Sequence, residues 1–481
     1  MHFRVPVSLI VLPAALLLAN CAQNPVSGHA NFVTMSESQE VQVGREEDVK
    51  VRQEYGVFDD KPLQKYVNDV GQRLGKASHR PGLQYSYVVV DSPEINAFAL
   101  PGGYIYITRG ILAYLNSEAE LAAVLGHETG HVTARHSVQQ MSASTAAGVG
   151  AALIGVFVPV LRNQAGDAAI NALGGALLSG YGREHELEAD KLGAEYLLRT
   201  GYNPQAMIKV IGVLKNQELF DAEVAKSEGR QPRSYHGVFA SHPDADKRLH
   251  EVVGEAGKLA AGSGRVNSEE FLRMIDKVPF GYSESQGFIR NGSFYHRELG
   301  LSLKFPENWR IANQTDRVAA SNRSDDVMIE MRLAGRVQGT PAEMLRKAVG
   351  GAREVTSTTI NGLEAALTTT SIKGLPTRAA VVFFDKRAYM VGGQAKTPAA
   401  MQAALPLINA TIMSFHAMTD TERNSMRPLT LRIINAAPGA SFAELARSSP
   451  LGKNAVSHLR LLNGLYPNGE PVAGQALKIV E

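Results

Sequence analysis

The pattern of apolar and polar positions predicts a chain of mixed helices and strands. Helical periodicity marks segments 36–55, 62–76 and 118–141, whereas 85–90, 98–100 and 104–108 are typical of short strands. Ser117 and Glu120 have the spacing of a capping box, and no proline interrupts the segment from Glu118 to Met141. A second proline-free helical segment follows Arg183. The predicted fold class is α+β, with a mainly helical first domain.

The second half of the chain has a different pattern. Strand-like segments at 301–305, 327–332 and 379–384 accompany helices near 341–349 and 398–414, and segment 429–481 follows the order β-α-α-β. We predict these boundaries: a signal peptide at 1–20, a first domain at 21–264, a linker at 265–287, an α+β domain at 288–416, a linker at 417–428 and a small module at 429–481.

Composition narrows the possible partners. The chain has 481 residues, 44% of them apolar and 20% charged, which is typical of a globular protein with more than one domain. Its formal net charge is +2, so no strong positive field exists to attract nucleic acid. We therefore expect no nucleic-acid partner.

The N-terminus predicts export. An apolar run at 5–19 precedes Cys21, the only cysteine, so an intramolecular disulfide is excluded. Segment 18–21 resembles a bacterial lipobox, which implies a lipid on Cys21 and membrane association; the alternative is an ordinary secretory signal. Both place the protein in the periplasm, and Ala22 favours the outer membrane. For the Gly/Ala-rich stretch 146–161 we expect helices that pack over the active site, or that touch the membrane or a partner, rather than a membrane span.

Segment 127–131, His-Glu-Thr-Gly-His, is an H-E-x-x-H motif and carries the most specific chemistry. On a helix, residues four apart differ by only about 40° in direction, so His127 and His131 leave the same face and can bind one zinc ion. Glu128 lies beside them and is placed to take a proton from a water that zinc activates. This pattern predicts metal-assisted hydrolysis.

Two carboxylates on the second helix complete the predicted site. Glu186 and Asp190 are four apart and share a face, whereas Glu184 and Glu188 lie about 200° from Glu186. One of the pair can ligate zinc while the other hydrogen-bonds a ligand imidazole.

Two further histidines are predicted to be non-ligands. His136 is nine residues from His127, about 180° round a continuous helix, and is interpreted as structural. His185 is about 100° off the face of Glu186.

These motifs resemble the zinc metallopeptidases that include the CAAX prenyl endopeptidases, the HtpX membrane proteases and the periplasmic BepA/YfgC-like proteases. The resemblance rests on the H-E-x-x-H motif at 127–131 and on the E-x-E-A-D motif, Glu-Leu-Glu-Ala-Asp, at 186–190. It also takes in 96–104, and Ser-His-Pro at 241–243 with Arg248. It implies a zincin-type domain with the metal ligands His127, His131 and Glu186. It also implies Glu128 as base, Asp190 as the partner of a ligand, and an edge strand near 96–104 that pairs with extended substrate.

The role of His242 stays open among three alternatives. As a switch, His242 would occupy the open position on the metal. As a catalytic group, it would donate a hydrogen bond to the oxyanion, a role that Arg248 could also fill. As a structural residue, it would only begin a helix behind the cap Ser241.

Two C-terminal resemblances add binding hypotheses. Segment 299–309 resembles the opening of small PsbP/Mog1-like α/β sandwiches, which gives 288–416 a packing or partner-binding role. Segment 429–481 resembles LysM modules, which implies binding of peptidoglycan.

For the whole chain we predict a zinc endopeptidase of the bacterial envelope that acts on misfolded or mistargeted proteins. The rival hypothesis is an assembly or scaffold lipoprotein with a latent zinc site.

Overall fold

The computed structural model describes residues 21–28, 30–33, 35–146, 181–228, 263–314, 316–350 and 354–481. The chain forms two compact units, one of Met1–Val278 with Thr430–Glu481 and the other of Pro279–Leu429. Helices and sheets occur together in it, which confirms the mixed α+β class. Across the described residues, no helix has both the length and the apolar character needed to cross a membrane. The stretch 146–161 lies almost wholly outside the described residues.

The first unit begins with short strands and helices that lead to the candidate site. In chain order they are β1 (Cys21–Gln23), β2 (Ala30–Phe32), α1 (Glu37–Tyr55), α2 (Lys61–Ala77), β3 (Ser86–Val90), β4 (Ala97–Leu100), β5 (Tyr104–Thr108), α3 (Arg109–Leu112) and α4 (Glu118–Thr133). The unit continues with α5 (His136–Ala146), α6 (Arg183–Arg199), α7 (Gln205–Glu228) and α8 (Ser268–Ile275).

A small sheet in the order β3-β5-β4 packs beside α2 and α4. Strand β5 pairs with β3 in parallel and with β4 in antiparallel register, so β4 is an outer strand of this sheet. Glycines bring α2 close to β3, because a Cβ at Gly71 would lie 2.2 Å from the ring of Tyr87. The predicted strands at 85–90, 98–100 and 104–108 are all present.

Helices α4 and α6 pack closely through glycines. A Cβ on Gly126 would lie 3.3 Å from the Cα of Gly193, and one on Gly193 would lie 2.9 Å from the backbone nitrogen of His127. Close backbone approach brings the side chains of the two helices together without a wide gap between their axes. The H-E-x-x-H helix and the helix of Glu186 therefore face each other directly.

The prediction of one continuous helix from Glu118 to Met141 is wrong. Helix α4 ends at Thr133, Arg135 has a backbone φ angle of 60°, and α5 begins at His136. The break is stabilised by Arg135, whose Nε donates to Oε2 of the buried Glu40 at 2.9 Å. A residue with positive φ ends a helix, and here the ion pair with α1 stabilises that conformation.

The second unit contains twelve strands and three helices among its described residues. They are β6 (Pro279–Phe280), β7 (Phe288–Arg290), β8 (Ser293–His296), β9 (Leu301–Lys304), β10 (Arg310–Asn313), β11 (Arg317–Ser321), β12 (Val327–Arg336), α9 (Pro341–Ala348), β13 (Thr356–Ile360), β14 (Leu363–Ile372), β15 (Leu375–Phe384), β16 (Arg387–Ala395), α10 (Pro398–Met413), β17 (His416–Ala417) and α11 (Asp420–Ser425).

Seven of these strands form one antiparallel sheet in the order β10-β11-β12-β16-β15-β14-β13. Alternate residues of β15 and β16 face opposite sides of this sheet. One side packs with Ile408 of helix α10 and the other with Leu345 of helix α9.

The C-terminal segment has the predicted β-α-α-β order. Its elements are β18 (Leu429–Asn435), α12 (Phe442–Leu445), α13 (Ala455–Leu462) and β19 (Ala476–Val480), and β18 pairs with β19 in antiparallel register. The segment belongs to the first unit, and its helix α13 packs against α7. Its likeness to LysM modules stays a prediction, as do the predicted domain boundaries.

Candidate metal centre

Three buried side chains from α4 and α6 converge on one point. Nε2 of His127 and Nε2 of His131 are 3.0 Å apart, and the carboxylate of Glu186 lies 3.3 Å from His131 and 3.6 Å from His127. Within the described residues these three form the group that could hold a metal ion, with one ligand atom each, all within 4.8 Å of one another. Two imidazoles and one carboxylate are a donor set found in catalytic zinc sites, so the residues fit that metal.

Asp190 orients one of the imidazoles. Its Oδ1 lies 2.8 Å from Nδ1 of His127, and both residues are buried. A carboxylate accepts a hydrogen bond, so the proton of the neutral imidazole resides on Nδ1 and leaves Nε2 available to a metal. The sequence left open which carboxylate would ligate, and the geometry places Glu186 among the converging atoms and Asp190 behind His127.

Burial governs the protonation of the second imidazole. It lowers the pKa of His131 well below its usual value, because desolvation disfavours the charged ring more than the nearby carboxylate of Glu186 favours it. The ring of Tyr181 stacks on His131 with centroids 4.0 Å apart. The neutral imidazole is the form that binds a metal, so the low pKa suits a ligand.

Glu128 occupies the position expected of a proton carrier. It follows His127 on α4, is buried, and lines the same cavity as His127 and Asp190. Apolar side chains form most of that cavity, among them Ala97 of β4 and Val210 of α7. A carboxylate in such surroundings is shielded from bulk water, which strengthens its electrostatic interactions with reacting groups.

Two further residues lie behind His131, and the sequence did not assign them to the site. Nδ1 of His136 is 2.9 Å from Nδ1 of His131, and Nε2 of His136 is 3.1 Å from Oε2 of Glu188. The rotation argument that separated His136 from His127 assumed a continuous helix, whereas the break at Arg135 redirects the chain. Glu188 is the second Glu of the E-x-E-A-D motif, and its place in that motif is the signal that could have identified it.

The remaining predicted residues have different outcomes. His185 stacks on His136 with ring centroids 4.2 Å apart and is not one of the three converging residues. His242 and Arg248 lie outside the described residues, so their roles stay predictions.

The part of the chain that holds the candidate site matches a known protein family. Residues 62–256 match the model of peptidase family M48. The metalloprotease YcaL of Escherichia coli K12 is 30% identical over 191 residues, which cover 38% of this chain and 68% of that protein.

Larger relatives match over a smaller share of their length. The beta-barrel assembly-enhancing protease of Escherichia coli K12 is 30% identical over 245 residues, 49% of this chain and 47% of the relative. The mitochondrial metalloendopeptidase OMA1 of Arabidopsis thaliana is 29% identical over 246 residues, 50% of this chain and 44% of the relative. The chain thus spans about half the length of these curated relatives.

Solved structures match only weakly. A cyanobacterial PsbP from Synechocystis sp. PCC 6803 is 10% identical and covers 26% of this chain and 91% of its own, with a TM-score of 0.21. The Ran-binding protein Mog1p of Saccharomyces cerevisiae is 9% identical, covers 28% and 99%, and has a TM-score of 0.20. Scores this low carry no argument about the fold, so the resemblance of 288–416 to such sandwiches stays a prediction.

Proposed function

Because the chain belongs to peptidase family M48, we propose that it is a zinc-dependent endopeptidase of the bacterial cell envelope. The observation that carries this proposal is the convergence of His127, His131 and Glu186 beside the buried carboxylate of Glu128. The scaffold hypothesis is not favoured, because the relatives are named as proteases.

The chemistry follows from the residues around the three proposed ligands. Zinc bound there would supply Lewis acidity towards the scissile carbonyl and the attacking water. Glu128 takes a proton from that water and later delivers it to the leaving amine. Asp190 fixes the proton of His127 on Nδ1, and burial keeps His131 neutral. Each residue thereby has one task in peptide hydrolysis.

Substrate binding is proposed at strand β4. This strand is an outer strand of its sheet in the described part of the chain, and its Ala97 lines the cavity that His127 and Glu128 share. An extended peptide can add to a sheet edge through main-chain hydrogen bonds, which demand little of its sequence. Unfolded or misassembled proteins expose such segments, so we propose them as substrates. The name of the beta-barrel assembly-enhancing protease points to β-barrel proteins as one class.

Location and the C-terminal module give two further parts of the proposal. We propose that a lipid on Cys21 anchors the mature chain to the outer membrane from the periplasm. Mass spectrometry of membrane fractions tests this, and a mature N-terminus beyond Cys21 without lipid would contradict it. Binding of peptidoglycan by 429–481 is the second part, and a pull-down of the full-length protein with purified sacculi tests it.

The proteolytic proposal is tested with purified mature protein and an unfolded protein substrate. We expect bound zinc and cleavage by the wild type. Glu128→Gln should keep the zinc, because Glu128 is not a proposed ligand, and should lose cleavage. Equal cleavage by wild type and Glu128→Gln would exclude the proposed role of Glu128. A wild-type protein that binds no zinc would exclude the whole proposal.

A further inference from the structure

A chain of hydrogen bonds runs from a proposed ligand to a partly exposed carboxylate. His131 contacts His136 through Nδ1 of both rings at 2.9 Å, and Nε2 of His136 contacts Glu188 at 3.1 Å. His131 and His136 are buried, and Glu188 is half-buried on α6. The three groups therefore connect α4, α5 and α6 behind the metal centre.

The direction of these hydrogen bonds is determined by the carboxylate. Glu188 can only accept when it is ionised, so Nε2 of His136 donates. A neutral imidazole has one N–H, which leaves Nδ1 of His136 as an acceptor. Nδ1 of His131 then donates to it, and Nε2 of His131 has no proton. This is the arrangement of neutral rings that satisfies both contacts and leaves Nε2 of His131 available to a metal.

We propose that His136 and Glu188 are positioning residues that fix the proton of His131 on Nδ1 and hold its Nε2 towards Glu186 and His127. The inference rests on the proposed zinc function and extends it to residues that do not touch the metal. His127 has the simpler form of this device, a direct hydrogen bond to Asp190. The two ligand imidazoles are thus oriented in the same sense, one by a carboxylate and the other through an intervening ring.

The surrounding structure holds this relay in place. The break at Arg135 directs His136 towards His131, and Arg135 is paired with the buried Glu40. Tyr181 stacks on the ring of His131, and Ser137, next to His136, contacts the hydroxyl of Tyr181 at 2.6 Å. With Tyr181 stacked on the ring of His131 and His185 stacked on the ring of His136, rotation of either ring to another hydrogen-bond partner is opposed.

Zinc affinity is the property that the relay controls. Loss of an outer partner of a ligand imidazole weakens metal binding by about tenfold to a hundredfold. We expect a loss of this size for His136→Ala. His136→Gln should lose less, because its amide oxygen can accept the hydrogen bond from His131. Glu188→Gln should also weaken binding, because a carboxamide can donate as well as accept and no longer fixes the proton of His136.

The test measures zinc dissociation constants of the full mature chain against a competing chelator, without substrate. Glu184→Gln is the matched control, because Glu184 is exposed on the same helix and lies outside the relay. It should bind zinc as the wild type does. Cobalt(II) absorption spectra provide a second measurement, since a changed tautomer of His131 alters the ligand field. Melting of the zinc-free proteins shows whether a variant merely loses stability.

The outcomes separate this inference from the proposed function. Wild-type zinc affinity in His136→Ala would overturn the relay, and so would a lower melting temperature of the zinc-free variant with unchanged zinc affinity. If His136→Ala does not fold, unchanged affinity in both His136→Gln and Glu188→Gln overturns it equally. Absence of zinc binding in the wild type would overturn the proposed function together with the relay. A wild type that binds zinc but does not cleave the substrate would overturn the proposed proteolysis, whereas weaker zinc binding by His136→Ala would still support the relay.

Discussion

Nζ of Lys478 donates a hydrogen bond to the carbonyl oxygen of Leu115, 2.6 Å away, although the two residues are 363 positions apart in the chain. A second hydrogen bond of 2.7 Å reaches the carbonyl of Ala113. Leu115 lies just before Ser117, the residue whose side chain caps the H-E-x-x-H helix. The C-terminal segment therefore contacts the turn from which the proposed active-site helix begins.

Stability should rise with pH because of Lys478. Burial lowers the pKa of Lys478 to about 7, against the weaker opposing charge of Glu120. In the unfolded chain a lysine has a pKa of about 10.4. Between these values the unfolded chain binds a proton that the folded chain has lost, so the free energy of unfolding increases from pH 7 towards pH 10. Lys478→Met should reduce that slope, by at most about 1.4 kcal/mol per pH unit.

Denaturant unfolding at pH 7, 8 and 9 measures this effect. Other groups also titrate in this range, so the informative quantity is the difference in slope between the wild type and Lys478→Met. Lys453→Met is the control, because Lys453 is exposed. Identical slopes in all three proteins would show that folding does not lower the pKa of Lys478.

Removal of residues 429–481 should destabilise the peptidase part of the chain. Besides Lys478, His458 contacts the hydroxyl of Tyr114 at 2.9 Å, and Ser457 and Tyr466 both contact Glu223 of α7 at 2.9 Å. Truncation removes these contacts and exposes to water the apolar surface that the segment covers, which costs about 25 cal/mol for each Å² of apolar area. We expect a lower melting temperature and weaker zinc binding. A truncated chain with wild-type melting and zinc affinity would show that the module is independent.

Replacing either proposed histidine ligand should abolish zinc binding. His127→Ala or His131→Ala leaves two of the three protein donors that converge in the structure. Catalytic zinc sites use three protein ligands, so we expect no zinc to remain after dialysis against a weak chelator. Metal analysis by mass spectrometry measures it. Stoichiometric zinc in either variant would show that these residues are not the ligands.

Gly193→Ala should disturb the site without changing any proposed ligand. The added Cβ would lie 2.9 Å from the backbone nitrogen of His127 and 2.5 Å from Cε of Met207. The flexible end of the Met207 side chain can move aside. The backbone of α4 cannot yield locally, so α4 and α6 must move apart as whole helices. We expect a loss of about 1–3 kcal/mol in the free energy of unfolding and weaker zinc binding.

Gly212→Ala provides the matched control for Gly193→Ala. Gly212 lies on α7, and a Cβ there meets nothing within 4 Å. Alanine is favoured over glycine in a helix, so this variant should be as stable as the wild type or more stable. Denaturant unfolding and zinc affinity of both variants are compared. Equal effects of the two substitutions would contradict the close-packing argument.

The local sequence was sufficient for the elements that carry the proposed ligands. The helical period places His127 and His131 on one face of α4 and Glu186 and Asp190 on one face of α6, and the predicted short strands at 85–108 are present. These features depend on neighbours within about one turn of chain, and such interactions are visible in the residue pattern. The spacing alone could not choose between Glu186 and Asp190 as the ligand.

The tertiary structure decided what lies behind those ligands. The helix ends at Thr133, and the positive φ of Arg135 that follows is stabilised by its pairing with Glu40, a residue 95 positions earlier. That break brings His136 to His131. In the same way, the contact of Lys478 with Leu115 depends on the packing of the C-terminal segment. No residue pattern encodes such contacts directly, because they arise only when distant segments bury their charges and apolar faces against each other.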